Sequence, residues 1–232
     1  MNFAGVKSIT IPEGDVRSIA IGGVTVWQKL PYDAEVGYVE STGAQYVDTG
    51  LTNVADIAAT IRLAASSWSG DSTILGVYTG TTRFYSFAID NGLYACSFGG
   101  SWNSSFAPKI TGLPTNSFIA ASSDISNDGV TINANGTTRS TTRSDGWSGT
   151  GNFTIFKRGG AGQTSYAKIK LAMLEIRVAG VLARDFVPVR VGTAGYLYDR
   201  ANPTGGPSGN GLYGSATGTA LVAGPDKNGG AA

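Results

Sequence analysis

Residues 83–98 read RFYSFAID-NG-LYACSF, two strand-like runs joined by Asn91-Gly92. An Asn-Gly pair between two such runs is a strong short-range signal of a β-hairpin, because both residues tolerate the positive φ of a tight turn. The same pair recurs at Asn135-Gly136, after another alternating stretch. The sequence therefore predicts antiparallel strands connected by tight turns.

Period-two alternation continues through most of the chain. Ile57, Ala59, Ile61 and Leu63 fall on one strand face, with Arg62 on the other. Turn signals return roughly every 8 to 12 residues, which is typical of a sandwich or jelly roll. The 34 Gly and 8 Pro among 232 residues show no Gly-X-Y period and agree with a turn-rich β protein. The predicted fold class is all-β, an antiparallel β-sandwich of the jelly-roll type.

The stretch 165–176 has residues that also favour a helix. We predict a strand with Ile169, Leu171 and Met173 on one face, because the residues between them point the other way in a period of two. The following Val178–Val181 predicts a hairpin turn.

Residues 1–31 are predicted to form a small unit of their own, a β-meander. Its strands would be the alternating segments Val6–Ile11, Val16–Ile21 and Val24–Trp27. Strands this short bury little, so the unit is expected to lean on the main domain or on a partner. Pro31 interrupts pairing and leaves 32–232 as the main domain. In its tail, Leu212–Tyr213 and Ala220–Val222 are expected to close an edge of the sandwich.

Segments near both ends of the main domain match a known pattern. Residues 35–50, EVGYVESTGAQYVDTG, resemble the opening of a LamG-like family common in phage tail proteins and gut-bacterial proteins. Residues 182–190, LARDFVPVR, and 195–199, GYLYD, are similar to its later segments, and 224–226, GPD, to its ending. The resemblance implies a concanavalin A-like (LamG-type) jelly roll over about 35–226. The first 31 residues resemble, more weakly, the small β units that precede such domains in phage proteins.

The matching segments are interpreted as scaffold, which says little about what is bound. In a jelly roll the two ends of the chain commonly pair, so conspicuous first and last strands are what closure requires. The aromatic residues expected to pack are Tyr38, Tyr46, Phe186 and Tyr198. The acidic residues expected to cap turns or to pair with Arg184 or Arg200 are Asp48, Asp185 and Asp199.

Composition disfavours several classes of function. The net charge is +1 with scattered Lys and Arg, so no nucleic-acid partner is expected. No apolar run approaches the roughly 18 residues of a membrane helix, so no membrane insertion is expected. There is no His and only one Cys, Cys96, which we interpret as a small hydrophobe. None of the 4 Glu has an acidic partner on its strand, so no catalytic residue is predicted.

The ligand-binding candidates are aromatic. Trp68, Trp102 and Trp147 each lie in a stretch of Ser, Gly, Asp or Asn. Sugar rings stack on such aromatics while small polar neighbours bond their hydroxyls, and the same composition suits protein recognition. The alternative is that each Trp folds back over an end of the sandwich. Tyr78 and Arg83 are secondary candidates.

No cofactor is required by these patterns, although Ca²⁺ is an option. Some LamG-like domains bind Ca²⁺, and acidic loops supply the oxygen ligands that this ion prefers. The candidate ligands are Asp71, Asp90, Asp124, Asn127, Asp128 and Asp145.

Three hypotheses of function follow from these residues and the resemblance. The first is a virion protein of a phage, a tail or head fibre or decoration that binds a host-surface glycan or protein without catalysis. Residues 1–31 would then attach to other virion proteins, and the chain would form a homotrimer as such fibres often do. The second is a bacterial extracellular or cell-surface carbohydrate-binding module, although the N-terminus lacks the pattern of a signal peptide. The third, a glycoside hydrolase, is disfavoured by the missing carboxylate pair.

Overall fold

The computed structural model describes part of the chain and divides it into two compact units, Met1–Pro31 and Tyr32–Ala232. The described residues are 18–21, 24–52, 56–78, 84–98, 108–126, 129–142, 151–160 and 164–227, with the backbone alone at 18–21, 24–28, 84, 97 and 98. All the regular secondary structure in these described residues is β-strand. Accordingly, these residues include no helix long and apolar enough to cross a membrane.

The N-terminal unit contains an antiparallel pair. Strand β1 (Ser18–Ile21) runs against β2 (Val24–Gln28), with Ile21 opposite Val24. These strands match two segments of the predicted meander, and the segment Val6–Ile11 lies outside the described residues.

The main domain is built from two sheets. Its strands in chain order are β3 (Ala34–Glu35), β4 (Val39–Glu40), β5 (Val47–Thr52), β6 (Ile57–Ala65), β7 (Ser72–Tyr78), β8 (Phe84–Ile89), β9 (Leu93–Phe98), β10 (Lys109–Ile110), β11 (Ile119–Ile125), β12 (Gly129–Ala134), β13 (Thr137–Thr142), β14 (Asn152–Ile155), β15 (Arg158–Gly159), β16 (Ile169–Val178), β17 (Val181–Val191), β18 (Ala194–Asp199), β19 (Leu212–Tyr213) and β20 (Leu221–Ala223). In the described residues the smaller sheet has seven strands, in the order β10-β9-β8-β7-β14-β5 with β15 beside β7. The larger has eleven, in the order β13-β12-β11-β6-β16-β4-β20-β18-β17-β3 with β19 beside β18. Apart from the parallel pair β15–β7, the paired strands are antiparallel, so the predicted all-β sandwich is confirmed.

The core lies between the two sheets and follows the alternation of the sequence. Ile57, Ala59, Ile61 and Leu63 on β6 are at most 1% exposed, whereas Arg62 between them is exposed. Burying each of the larger side chains contributes about 1.5–3 kcal/mol, which fixes the face that β6 turns inward.

Strand β16 confirms the strand prediction for this segment, with one correction. A β-bulge between Leu171 and Met173 shifts the register against β6. Leu174, fully buried, therefore takes the inward position beyond the bulge, and Met173 is only half-buried. The prediction that Met173 shares the face of Ile169 and Leu171 is wrong, because a bulge inserts one residue and reverses the alternation after it.

The predicted tight turns are present. Asn135 and Gly136 have φ of 50° and 80°, and Ala179 and Gly180 have φ of 48° and 78°. Asn91 also has a positive φ, 49°. These left-handed conformations match the twist of the flanking strands, which explains why Asn-Gly pairs join them.

The two ends of the main domain pair, as the jelly-roll prediction requires. Strand β4 lies between β16 and β20. The N–H of Gly37 donates to the Pro225 carbonyl at 2.7 Å, and that of Gly224 to the Tyr38 carbonyl at 2.9 Å. Strand β20 also pairs with β18, so the prediction that its segment closes an edge is wrong: it fills an interior position, with Leu221 1% exposed.

The conspicuous segments of the sequence meet at one buried ion pair. The Arg184 Nε lies 3.4 Å from Asp199 Oδ2 and donates to the Thr49 carbonyl at 3.0 Å. The N–H of Asp185 donates to Asp199 Oδ1 at 3.0 Å, and Arg200 holds the Asp185 carboxylate with two hydrogen bonds of 3.0 and 3.2 Å. Residues of the opening, LARDFVPVR and GYLYD segments therefore tie β5, β17 and β18 together, which confirms their structural interpretation.

Candidate functional site

The sandwich has two ends, which we name after residues that lie there, the Trp68 end and the Tyr78 end. Strand β7 starts near Trp68 and finishes at Tyr78. In the smaller sheet Tyr78 is opposite Phe84, and Phe84 is opposite Phe98. The larger sheet contributes the start of β6 to the Tyr78 end, because only residues 53–56 separate it from the end of β5.

Tyr78 is the predicted ligand-binding residue that the structure describes at the Tyr78 end. Arg83, Trp102 and Trp147 lie outside the described residues, in segments 79–83, 99–107 and 143–150. The described residues that flank these segments at this end are Tyr78, Phe84, Phe98, Thr142 and Asn152. Segments 79–83 and 143–150 are therefore flanked on both sides by described residues of this end. Segment 99–107 leaves the described strands here at Phe98 and rejoins them at β10, whose Lys109 is opposite Tyr94, nearer the Trp68 end.

A polar hollow opens on the outer face of the larger sheet at the same end. Its volume is about 430 Å³, and it is lined by Asp124, Ser126, Gly129, Thr131, Ser140, Thr141 and Thr142. Asp124, Thr131 and Ser140 stand opposite one another on β11, β12 and β13. The Thr131 and Ser140 hydroxyls are 3.0 Å apart. The hollow thus presents a row of hydroxyls and one carboxylate, groups that can both donate hydrogen bonds to a ligand and accept them.

Tyr78 itself is half-buried on the outer face of the smaller sheet. It packs against a small cluster of Ala88, Tyr94 and Cys96, and the Arg158 guanidinium lies 5.4 Å from its ring centroid. Burial raises the pKa of the Tyr94 hydroxyl and of the Cys96 thiol. Cys96 is therefore a buried, uncharged side chain rather than a thiolate nucleophile.

Trp68 lies at the opposite end. Its side chain is 8% exposed and belongs to the main core, and its indole N–H donates to the Pro114 carbonyl at 3.0 Å. The backbone carbonyl of Trp68 accepts a hydrogen bond from Gly92 at 2.8 Å. This geometry matches the alternative of a ring folded over an end of the sandwich. The structure does not bring Trp68 together with Tyr78, and the ligand-binding role of Trp68 stays a prediction.

The candidate Ca²⁺ ligands that the structure describes lie apart from one another. Asp71 Oδ2 accepts from Ser165 at 3.3 Å, Asp90 pairs with Lys109 at 2.9 Å, and Asp124 lies in the hollow. Asn127, Asp128 and Asp145 lie outside the described residues. Within the described ranges, no three His, Cys, Asp or Glu side chains form a group that could hold a metal ion.

Among the residues of the hollow, the sequence patterns pointed to Asp124 alone and not to the row of hydroxyls. A signal was present in the stretch TTRSTT at 137–142, which carries polar residues on both strand faces. Such a strand has little to bury on either face, and β13 accordingly forms an edge of the larger sheet.

Comparisons with known proteins show a likeness of fold. No protein family and no curated protein sequence matches this chain. A Bacteroides ovatus ATCC 8483 protein with an inferred carbohydrate-binding role matches with a TM-score of 0.53 at 12% identity, over 82% of this chain and 60% of that protein. Domains LG4-5 of the mouse laminin α1 chain match with a TM-score of 0.45 at 9% identity, over 66% of this chain and 43% of theirs. The enzymatically active domain of bacteriophage CBA120 tailspike protein 2 matches with a TM-score of 0.44 at 12% identity, over 66% of this chain and 28% of that protein.

The fold is an all-β jelly-roll sandwich. At these identities the comparisons concern the fold alone, and the LamG-type family stays a resemblance. The chain spans about three fifths of the length of the Bacteroides protein.

Proposed function

We propose that this chain binds a carbohydrate, without catalysis, at the Tyr78 end of its sandwich. The observation that carries the proposal is the position of the polar hollow. It lies at the end from which the segments containing Arg83, Trp102 and Trp147 leave the described strands. The likeness in fold to the Bacteroides protein with an inferred carbohydrate-binding role agrees with this choice of ligand.

The chemistry of the hollow suits a sugar. A volume of about 430 Å³ lies within the usual range of small-ligand sites, which is roughly 300–1,000 Å³. Hydroxyls of Thr131 and Ser140 can exchange hydrogen bonds with sugar hydroxyls, and the Asp124 carboxylate can accept two more. Aromatic residues of the flanking segments would supply the stacking face that this polar row lacks.

Binding without hydrolysis is supported by the functional groups at hand. Glycoside hydrolysis commonly requires two carboxyl groups roughly 5 to 10 Å apart across the scissile bond. Among the described residues that line the hollow, Asp124 is the one carboxylate. The chain also has no His to act as a general base.

We place this binding activity on the surface of a phage virion. The support is the resemblance of residues 35–50 and 182–190 to segments of a LamG-like family that is common in phage tail proteins and in gut-bacterial proteins. In this role the sandwich recognises a host-surface glycan or protein, and residues 1–31 attach it to other virion proteins, in a homotrimer. A bacterial extracellular carbohydrate-binding module is the second candidate, favoured by the same likeness to the Bacteroides protein.

A charged side chain placed in the hollow tests the binding site. The full chain and its Ser140→Arg variant would be compared on a glycan array and against whole host cells. We expect the wild type to bind a restricted set of glycans and the variant to lose at least tenfold in affinity, because the long arginine side chain would occupy the hollow and cover its hydroxyl groups.

The matched control is Thr138→Arg, on the same strand and the same face but away from the hollow. Each substitution removes one hydroxyl hydrogen bond, that of Ser140 with Thr131 or that of Thr138 with Asn133. Equal binding by the two variants would place recognition elsewhere. Hydrolysis of a bound glycan by the wild type would refute the non-catalytic part of the proposal.

A further inference from the structure

A second surface, which we call the cation–aromatic patch, lies on the outer face of the larger sheet. It consists of Tyr38, Arg62, Phe118 and Lys170. The rings of Tyr38 and Phe118 are 5.9 Å apart. The Arg62 guanidinium lies 5.3 Å from the Phe118 ring centroid, and the Lys170 ammonium 4.8 Å from that of Tyr38. The patch is distinct from the polar hollow, because Arg62 and Phe118 belong to the part of the sheet nearer the Trp68 end.

The rings are positioned by their neighbours in the sheet. A Cβ atom on Gly224 would lie 2.9 Å from the Tyr38 ring, so glycine at this position lets the ring lie against the extension of β20. Phe118 stays 36% exposed, and Val222, next to Glu40 on the neighbouring strand, stays 46% exposed. The patch and the neighbouring Val222 thus keep apolar surface in solvent.

The cations of the patch have no acidic partner within the described residues. No ion pair joins Arg62 or Lys170 to a carboxylate there, whereas Arg177, Arg184, Arg190 and Arg200 each have at least one. Glu40 is opposite Lys170 in the strand register, without coming within ion-pair distance. Glu175, the acidic residue on this face of β16, forms an ion pair with Arg177 at 3.8 Å. Arg62 and Lys170 therefore keep their donors available to a ligand.

We infer that the cation–aromatic patch is a second binding site, and that its ligand is a sugar chain carrying carboxylate or sulfate groups. Ring contact holds both cations in place, which lowers the entropy lost when they bind an anion. The planar guanidinium of Arg62 matches a carboxylate or sulfate with two parallel hydrogen bonds. Phe118 and Val222 offer apolar contact to the C–H face of a sugar ring.

Charge complementarity selects an acidic sugar chain over a neutral one. A neutral sugar would leave both cations without counter-charge, and it would gain only the apolar contacts. An acidic peptide would satisfy the cations but has no rigid ring face to cover Phe118. The chemistry is shared by carboxylated and sulfated sugar chains, so the experiment includes both.

The test is titration calorimetry of the full chain with oligogalacturonate, with a heparin-derived oligosaccharide, and with fully methyl-esterified oligogalacturonate as the uncharged counterpart. We expect at least one acidic probe to bind at 50 mM salt, much more weakly at 500 mM because of screening, and the esterified probe not to bind. Arg62→Gln and Lys170→Gln should each weaken binding about tenfold, as expected for the loss of one charge-assisted hydrogen bond. Glu40→Gln should tighten it about threefold by removing the opposing charge.

The matched control is Arg139→Gln, an exposed arginine on β13 of the same sheet that should leave affinity unchanged. Melting temperatures establish that each variant is folded, and the Glu40→Gln gain cannot arise from unfolding. The inference is overturned if no acidic probe binds, if Arg139→Gln weakens binding as much as Arg62→Gln, or if polyglutamate binds as tightly as the sugars. Loss of binding in Ser140→Arg but not in the patch variants would also overturn it, and would place the acidic ligand at the Tyr78 end.

Discussion

Removing the charge of Asp199 should destabilise the sandwich more than any surface change. The Asp199 side chain is fully buried, and its Oδ1 accepts from the backbone N–H groups of Asp185 and Ala201 at 3.0 and 3.1 Å. Its Oδ2 accepts no hydrogen bond and faces the charge of Arg184 at 3.4 Å. Taking one partner from a buried ion pair typically costs about 3–5 kcal/mol, because the other charge is left without compensation.

Two substitutions of Asp199, by Asn and by Ala, should differ in cost, and the Asn variant should fall at or below the lower limit of that range. Arg184 is 14% exposed and still donates to the carbonyls of Thr49 and Ala183, so we expect Asp199→Asn to lose about 2–3 kcal/mol of unfolding free energy. Asp199→Ala also leaves two backbone N–H groups without their acceptor, at about 1 kcal/mol each. That variant should therefore lose about 4–5 kcal/mol.

Urea unfolding followed by tryptophan fluorescence measures both losses, with equal m-values expected for all variants. The matched control is Asp90→Asn, which breaks the ion pair between Asp90 and Lys109. The side chain of Asp90 is 43% exposed and that of Lys109 is 36% exposed. An exposed pair of this kind contributes about 0–1 kcal/mol. If both Asp199 variants stay within about 0.5 kcal/mol of that control, the buried ion pair does not hold β5, β17 and β18 together and the reasoning is refuted.

Two further predictions concern other parts of the fold. Burial raises the pKa of Tyr85 above that of an unfolded tyrosine, so its contribution to stability is complete below about pH 10 and is lost as pH rises above that value. By pH 11 the wild type should lose about 1 kcal/mol more than Tyr85→Phe, and superimposable pH profiles in urea unfolding would disprove this. Ala179 has a φ of 48° in the first position of its tight turn, a conformation that Asn adopts more readily than Ala. Ala179→Asn should raise the unfolding free energy by about 0.5 kcal/mol. A lower melting temperature of the variant would show that the backbone conformation of Ala179 does not reduce stability.

Much of the fold could be predicted because it depends on local patterns. The alternation of Ile57 to Leu63 and the Asn135-Gly136 turn each follow from preferences of a few neighbouring residues. The bulge that displaces Met173 could not be predicted, since it results from the fit of β16 against β6 and β4. The interior place of Leu221 likewise depends on strands almost two hundred residues away in sequence.

The candidate binding surfaces divide in the same way. The sequence by itself determined the fold class, most strand faces, the turns and the polar sequence context of Trp102 and Trp147, because these are properties of short segments. Only the tertiary structure separated Trp68 from Tyr78, assembled the hydroxyl row of Thr131 and Ser140, and set Arg62 and Lys170 against aromatic rings. The physical reason is that strand register and sheet order decide which side chains become neighbours, and both are fixed by the burial of the whole core.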